Sequence, residues 1–237
     1  MITFLVAGTT LAADGTWIAD PVDNNWNNPA NWSSGTVPGY YDVAFFDGSA
    51  VKEINDTQAT SLEVIVFNPG ADAFTISALP GAGISSRLGV QNNSGMEQNF
   101  VATADGQGNS GGFTITQSID PATITGPVTF TEQARNSPTG FAPGVTFFFA
   151  GAGDATFHNL GASIAGGVGG RTDFVATGAS AENCMVINDG GTVSGATGGE
   201  TDFSQGKPSA GNATFIANGG SGGGGFITFE GGSLGGT

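Results

Sequence analysis

Basic side chains are scarce in this sequence: five Lys and Arg stand against twenty Asp and Glu, for a net charge of −15. Nucleic acid is therefore a poor partner, because gripping a phosphate backbone needs cations that displace its counterions. An anionic membrane surface is disfavoured on the same ground. Histidine occurs once, at His158, which leaves almost no material for a zinc cluster or a histidine-based triad. Cysteine also occurs once, at Cys184, so an intrachain disulfide is excluded. No apolar run is long enough to cross a bilayer as a helix. No segment carries apolar residues at i, i+3, i+4 and i+7, so helical arrays and leucine-rich horseshoes are excluded as well.

What is present is repetition. Ala155-Thr156-Phe157-His158-Asn159 aligns with Cys184-Met185-Val186-Ile187-Asn188 and with Ala213-Thr214-Phe215-Ile216-Ala217, each step being 29 residues. The same step carries Gly161 to Gly190 and Gly219, and Thr172-Asp173-Phe174 to Thr201-Asp202-Phe203. A fixed period of this length is the signature of a stacked repeat architecture. Each copy holds short β-favouring pieces separated by Gly, Asn and Ser, with a third apolar piece at Ile164 or Val193. Three short strands per unit predict an all-β fold, a right-handed parallel β-helix. The 29 residues make either one large coil or two small ones.

Stacked coils put equivalent positions about 4.8 Å apart. Phe157, Val186 and Phe215 are then expected to form one internal stack, and Phe174, Phe203 and Phe229 another. Phenylalanine supplies 18 of the aromatic residues, against three Trp and two Tyr, which suits an interior of stacked rings. Cys184 stands where the other copies have Ala and reads as a small buried residue. The 27-residue step from Phe130 to Phe157 extends the solenoid back to about residue 60. Three segments follow: 1–13, either the second half of a secretory signal or a first strand; 14–60, a Trp-rich N-terminal cap; and 61–237, the β-helix.

All three tryptophans fall in the cap: Trp17, then Asn25-Trp26-Asn27-Asn28-Pro29-Ala30-Asn31-Trp32, followed by Gly35-Thr36-Val37-Pro38 and Asp42-Val43-Ala44-Phe45-Phe46. An open coil end exposes unpaired backbone groups and has to be covered, so the rings are expected over the first coil. The alternative is a glycan-binding role in which exposed Trp17, Trp26 and Trp32 stack on sugar faces. The order Trp, Asn-Trp, Gly-x-Val-Pro, Asp-x-Ala-x-Phe resembles the opening of secreted bacterial β-helix proteins of the autotransporter-passenger type. Many of those carry a PEP-CTERM sorting signal or autotransporter-associated β-strand repeats. Ile65-Val66-Phe67, Gly89-Val90-Gln91-Asn92-Asn93-Ser94-Gly95 and the paired glycines of the repeats continue the likeness. The resemblance implies a secreted or cell-surface protein and says little about activity.

Candidate chemistry is thin. The bases Lys52, Arg87, Arg135, Arg171 and Lys207 are scattered, whereas cleaving an acidic polysaccharide needs a clustered base and a cation. Arg171 aligns with Glu200 one coil on, which predicts a cross-coil ion pair. Asp173 and Asp202 occupy equivalent positions, so they are either solvated residues of one strand face, a pair for glycoside hydrolysis, or a ladder for Ca²⁺, the one cofactor that suits them. Asp154, Asn183 and Asn212 form a polar ladder at a corner. His158 stands where other copies have Ile, a strand position that tolerates it.

The repeated residues are scaffold residues, and reactive ones do not cluster. The expected function is therefore a structural or adhesive β-helix at the cell surface or outside the cell. Its partners would be copies of itself, with Ile2, Phe4 and Val6 as a donated assembly strand, or a matrix polysaccharide. A carbohydrate-active enzyme and a glycan-binding module are the alternatives.

Overall fold

The computed structural model describes residues 13–116 and 123–236. The chain winds into a parallel β-solenoid of about seven turns with a repeat near 29 residues. Strands are numbered in chain order and lie in three sheets. Sheet A holds β1 (Gly15–Trp17), β2 (Val43–Phe46), β5 (Val64–Phe67), β8 (Gly89–Asn92) and β11 (Thr123–Thr125). Sheet B holds β3 (Glu53–Asp56), β6 (Thr75–Ala78), β9 (Gln98–Ala102), β12 (Val128–Glu132), β14 (Thr156–Asn159), β16 (Met185–Asn188) and β18 (Thr214–Ala217). Sheet C holds β4 (Ala59–Leu62), β7 (Gly83–Ser86), β10 (Gly112–Thr116), β13 (Gly144–Phe148), β15 (Arg171–Val175), β17 (Glu200–Ser204) and β19 (Phe226–Phe229). Each 29-residue unit is one coil, since β14 pairs with β16 in direct register.

Alternation along each strand sends every second side chain inward, and stacking turns one inward residue into a column. In sheet B the column runs Ile54, Ile76, Phe100, Phe130, Phe157, Val186 and Phe215. In sheet C it runs through Phe147, Phe174, Phe203 and Phe229, with successive ring centroids 5.1, 4.8 and 4.8 Å apart. Both expected stacks are present. Cys184 is fully buried, and that burial pushes its thiol up to about 12.

Two expectations need correction. The 14–60 segment is no separate cap, because β1 to β4 already belong to the three sheets. The covering part is narrower. Asn25 bridges Asn55 on the first strand of sheet B, with Trp26 N–H donating to the Asn55 carbonyl at 2.9 Å. The third apolar piece of the repeat forms no strand: Ile164 and Val193 lie in turns and are exposed. Past β11 the third side of the coil shrinks to single-residue bridges, Gly151 to Ser180 to Ser209 to Leu234. Opposite it, loops stack backbone on backbone. A Cβ on Gly198 would meet the Gly224 carbonyl at 2.4 Å, so only glycine fits there.

The corner between sheets B and C buries a polar column. Asn159 and Asn188 are fully buried; Asn159 Nδ2 donates to Asn188 Oδ1 at 2.7 Å and to the Glu200 carbonyl at 2.9 Å. Thr172 Oγ1 donates to Asn159, Thr201 to Asn188, and Thr60 to Asp56 in the first coil. Glu132 takes the same column position, one coil before Asn159, and in its coil Val145 stands where Thr172 does in the next. Glu132 is fully buried, and among the described residues neither carboxyl oxygen has a hydrogen-bond partner. Burial drives its carboxyl well above the ordinary range.

Candidate functional site

The tryptophans are core. Trp17, Trp26 and Trp32 are 1%, 0% and 2% exposed, and with Phe46 they form one ring cluster, centroids 4.9 Å for Trp26–Trp32 and 5.3 Å for Trp17–Trp32. Trp32 Nε1 donates to the Trp26 carbonyl at 2.7 Å and Trp17 Nε1 to that of Val51 at 3.1 Å. The sugar-stacking role considered for these rings fails for want of an exposed face. Ile2, Phe4 and Val6 lie outside the described residues.

Chemistry gathers instead on the outer face of sheet C. Asp173 and Asp202 are ladder neighbours, as are Arg171 and Glu200. Alternation puts all four on one face. The guanidinium of Arg171 lies between the acids: its Nε is bonded to Asp173, its Nη2 donates to Asp202 at 2.9 Å, and its Nη1 is 3.7 Å from Glu200. The expected Arg171–Glu200 pair is thus the longest contact of a four-residue network. Arg171 also stands where a cation shared by Asp173 and Asp202 would have to sit. No group of three or more His, Cys, Asp or Glu among the described residues is arranged to hold a metal. Burial raises Asp173 to about 6 despite the guanidinium, and burial raises Glu200 too. One Arg against three acids leaves this patch negative.

On the N-terminal side of the network the face is bare. The ladder position of Arg171 is glycine in the three preceding coils, at Gly144, Gly112 and Gly83. Beside them runs a hydroxyl ladder, Thr146, Thr114 and Ser85. Missing side chains over this backbone make a groove of about 270 Å³, closed at one end by Arg171 and Asp173. Sequence reading missed it because glycines 83, 112 and 144 are unevenly spaced and align only through the strand register. The signal was there in Gly-x-Thr at 112–114 and 144–146, matching Arg171-Thr172-Asp173.

His158, on sheet B, meets Asp189 across one coil, Nε2 to Oδ2 2.7 Å, and Asn218 holds the other oxygen at 2.8 Å. No hydroxyl or thiol nucleophile takes part in these contacts. The Asp154–Asn183–Asn212 ladder is present, with links of 3.2 and 3.3 Å.

Compared with protein-family models, curated proteins and solved structures, the chain matches none. The resemblance to autotransporter-type passengers therefore rests on the quoted motifs alone.

Proposed function

We propose that this chain is a structural or adhesive scaffold at the cell surface or outside the cell. The observation that carries this reading is the use of the repeat. Apart from the outward pair Asp173 and Asp202, the residues kept at the 29-residue step mostly fill ring columns, polar corners or glycine contacts between coils. Among the charged groups, Arg171, Asp173, Glu200 and Asp202 close on one another, which favours display over turnover. The high acidity keeps a long β-surface soluble by self-repulsion, and the likeness to secreted β-helix proteins supports the location. Assembly into fibres through Ile2, Phe4 and Val6 is the finer form of this reading, and deleting residues 1–13 tests it.

One observation favours a carbohydrate-active alternative: a carboxyl raised to about 6, Asp173, beside a groove, a pKa suited to acid catalysis. Two measurements separate the readings. Antibody should label intact cells that express the chain, and the purified protein should appear as rods or fibres in negative stain, with and without calcium and chelator. Reducing-end release from a polysaccharide, lost in Asp173→Asn, would establish the enzyme instead.

A further inference from the structure

Seven aromatic side chains are exposed among the described residues, and three of them, Phe141, Phe148 and Phe149, belong to the segment that carries β13 along the groove of sheet C. Most described phenylalanines are locked in the internal columns. Phe141, Phe148 and Phe149 are instead 85%, 36% and 49% exposed. Phe148 follows Thr146 on the outward side of β13, two residues along and so about 7 Å further on. Phe141 adjoins Ala142, which lines the groove at its other edge. Phe149 holds φ at +57°, a left-handed conformation that strains a bulky residue and that accompanies its exposed ring. Phe141 and Phe148 thus place an exposed ring near either end of the polar strand face that floors the groove.

We infer that this groove docks a neutral polysaccharide chain, with Gly112 and Gly144 as its floor and Phe148 as the stacking ring. Bare backbone lets a wide, flat ligand approach the sheet closely. The hydroxyls of Thr114 and Thr146 both donate and accept, which suits a polyol. Asp173 accepts from sugar hydroxyls at the closed end, held in orientation by Arg171. Phe148 offers an apolar face to the carbon side of a sugar ring. Charge selects the class: three acids against one Arg at the groove end repel uronate or sulfated chains. The inference takes its ligand source, a surface or matrix glycan, from the scaffold reading.

The test is affinity gel electrophoresis of the purified chain at physiological salt, with a soluble β-glucan, a mannan and polygalacturonate in separate gels. The expected result is retardation by at least one neutral polymer and none by polygalacturonate. Phe148→Ser and Thr146→Trp, the second filling the groove from its outer side, should each weaken it by about tenfold or more, the equivalent of one lost good contact. Both positions face outward, and circular dichroism confirms that the variants fold. Absence of retardation by either neutral polymer, retardation unchanged in both variants, or a wild-type dimer that the variants abolish would each overturn the proposal. None of these outcomes touches cell-surface labelling or rod morphology, which test the scaffold reading on their own.

Discussion

Replacing Glu132 by Asn should stabilise this protein, and increasingly so as pH rises. Glu132 occupies the buried column continued by Asn159 and Asn188, but its carboxyl oxygens have no partner among the described residues. An unpaired buried polar group costs about 1–3 kcal/mol, and more if it is charged. Burial raises its folded pKa well above the usual range, so the folded chain holds this proton to higher pH than the unfolded chain, where the group ionises at about 4.3. The sign follows. A raised folded pKa contributes stability that is fully present below the unfolded value and is lost as pH climbs toward the folded one. The loss runs at up to about 1.4 kcal/mol per pH unit.

Asn at this position can repeat the geometry of Asn159, with its amide reaching the next coil. Glu132→Asn should therefore gain about 1–3 kcal/mol at pH 7 and less at pH 4, or roughly 2–4 °C in Tm per kcal/mol for a chain of this length. Val145→Thr supplies the hydroxyl that Thr172 supplies one coil on. Paired with Glu132→Asn it should be non-additive, by about 0.5–3 kcal/mol. The assay is urea denaturation followed by circular dichroism from pH 4 to 8, for wild type, Glu132→Asn, Glu132→Gln and the double variant. The reasoning is refuted if the wild-type-minus-variant difference is flat across that range, because an orphaned, proton-holding carboxyl cannot give a flat difference.

Ala176 sits at φ +74° in the corner after β15, so Ala176→Gly should raise stability by about 0.5–1 kcal/mol, read as a higher urea midpoint. Phe174→Ala empties one place in a continuous ring column and should cost about 3–5 kcal/mol, checked by the same denaturation curve. Arg171→Gln leaves Asp173, Glu200 and Asp202 without their cation. Its loss should be about 1 kcal/mol at pH 7, since the guanidinium is partly exposed, and should shrink as pH falls through about 6, where Asp173 takes up its proton; equal losses at pH 5 and 8 would contradict the network. With all three indoles buried, iodide should barely quench native fluorescence, and quenching close to that of free indole would contradict the buried ring cluster.

The coil was legible because its period is carried by inward residues. Phe157 to Val186 and Thr172-Asp173-Phe174 to Thr201-Asp202-Phe203 stack one on one, and in these coils the connecting loops also keep one length, so the inward residues recur at a single spacing in the sequence. The first 60 residues concealed their coils, since the steps from β2 to β5 and from β3 to β6 are shorter than the later one and β1, β3 and β4 are short strands with weak propensity runs. The Trp segment was ambiguous because indole serves a core and a sugar site equally well; only burial decides. The acid network was half visible: the equivalence of Asp173 and Asp202 followed from the period. That Arg171 would lean toward both, in preference to Glu200, depended on side-chain direction.

The coil changes cross-section part-way along, and the groove lies where it does. Sheet A ends at β11. From β13 onward the chain leaves sheet C through a left-handed residue, Phe149, then Ala176, then Gln205, and a one-residue bridge replaces the missing strand. Sheets B and C continue unbroken across the change because their inward columns do not depend on the third side. The outward face of sheet C is under no such packing demand. Its ladder position can therefore pass from glycine at 83, 112 and 144 to Arg171 and Glu200 within one register, at no expense to the core. A solenoid separates the two tasks physically: inward positions are bound to the repeat, while outward positions can vary coil by coil. Departures from the repeat on an outward face are thus where recognition can be built, and one such departure here is the step from bare backbone to a charged network beside Phe148.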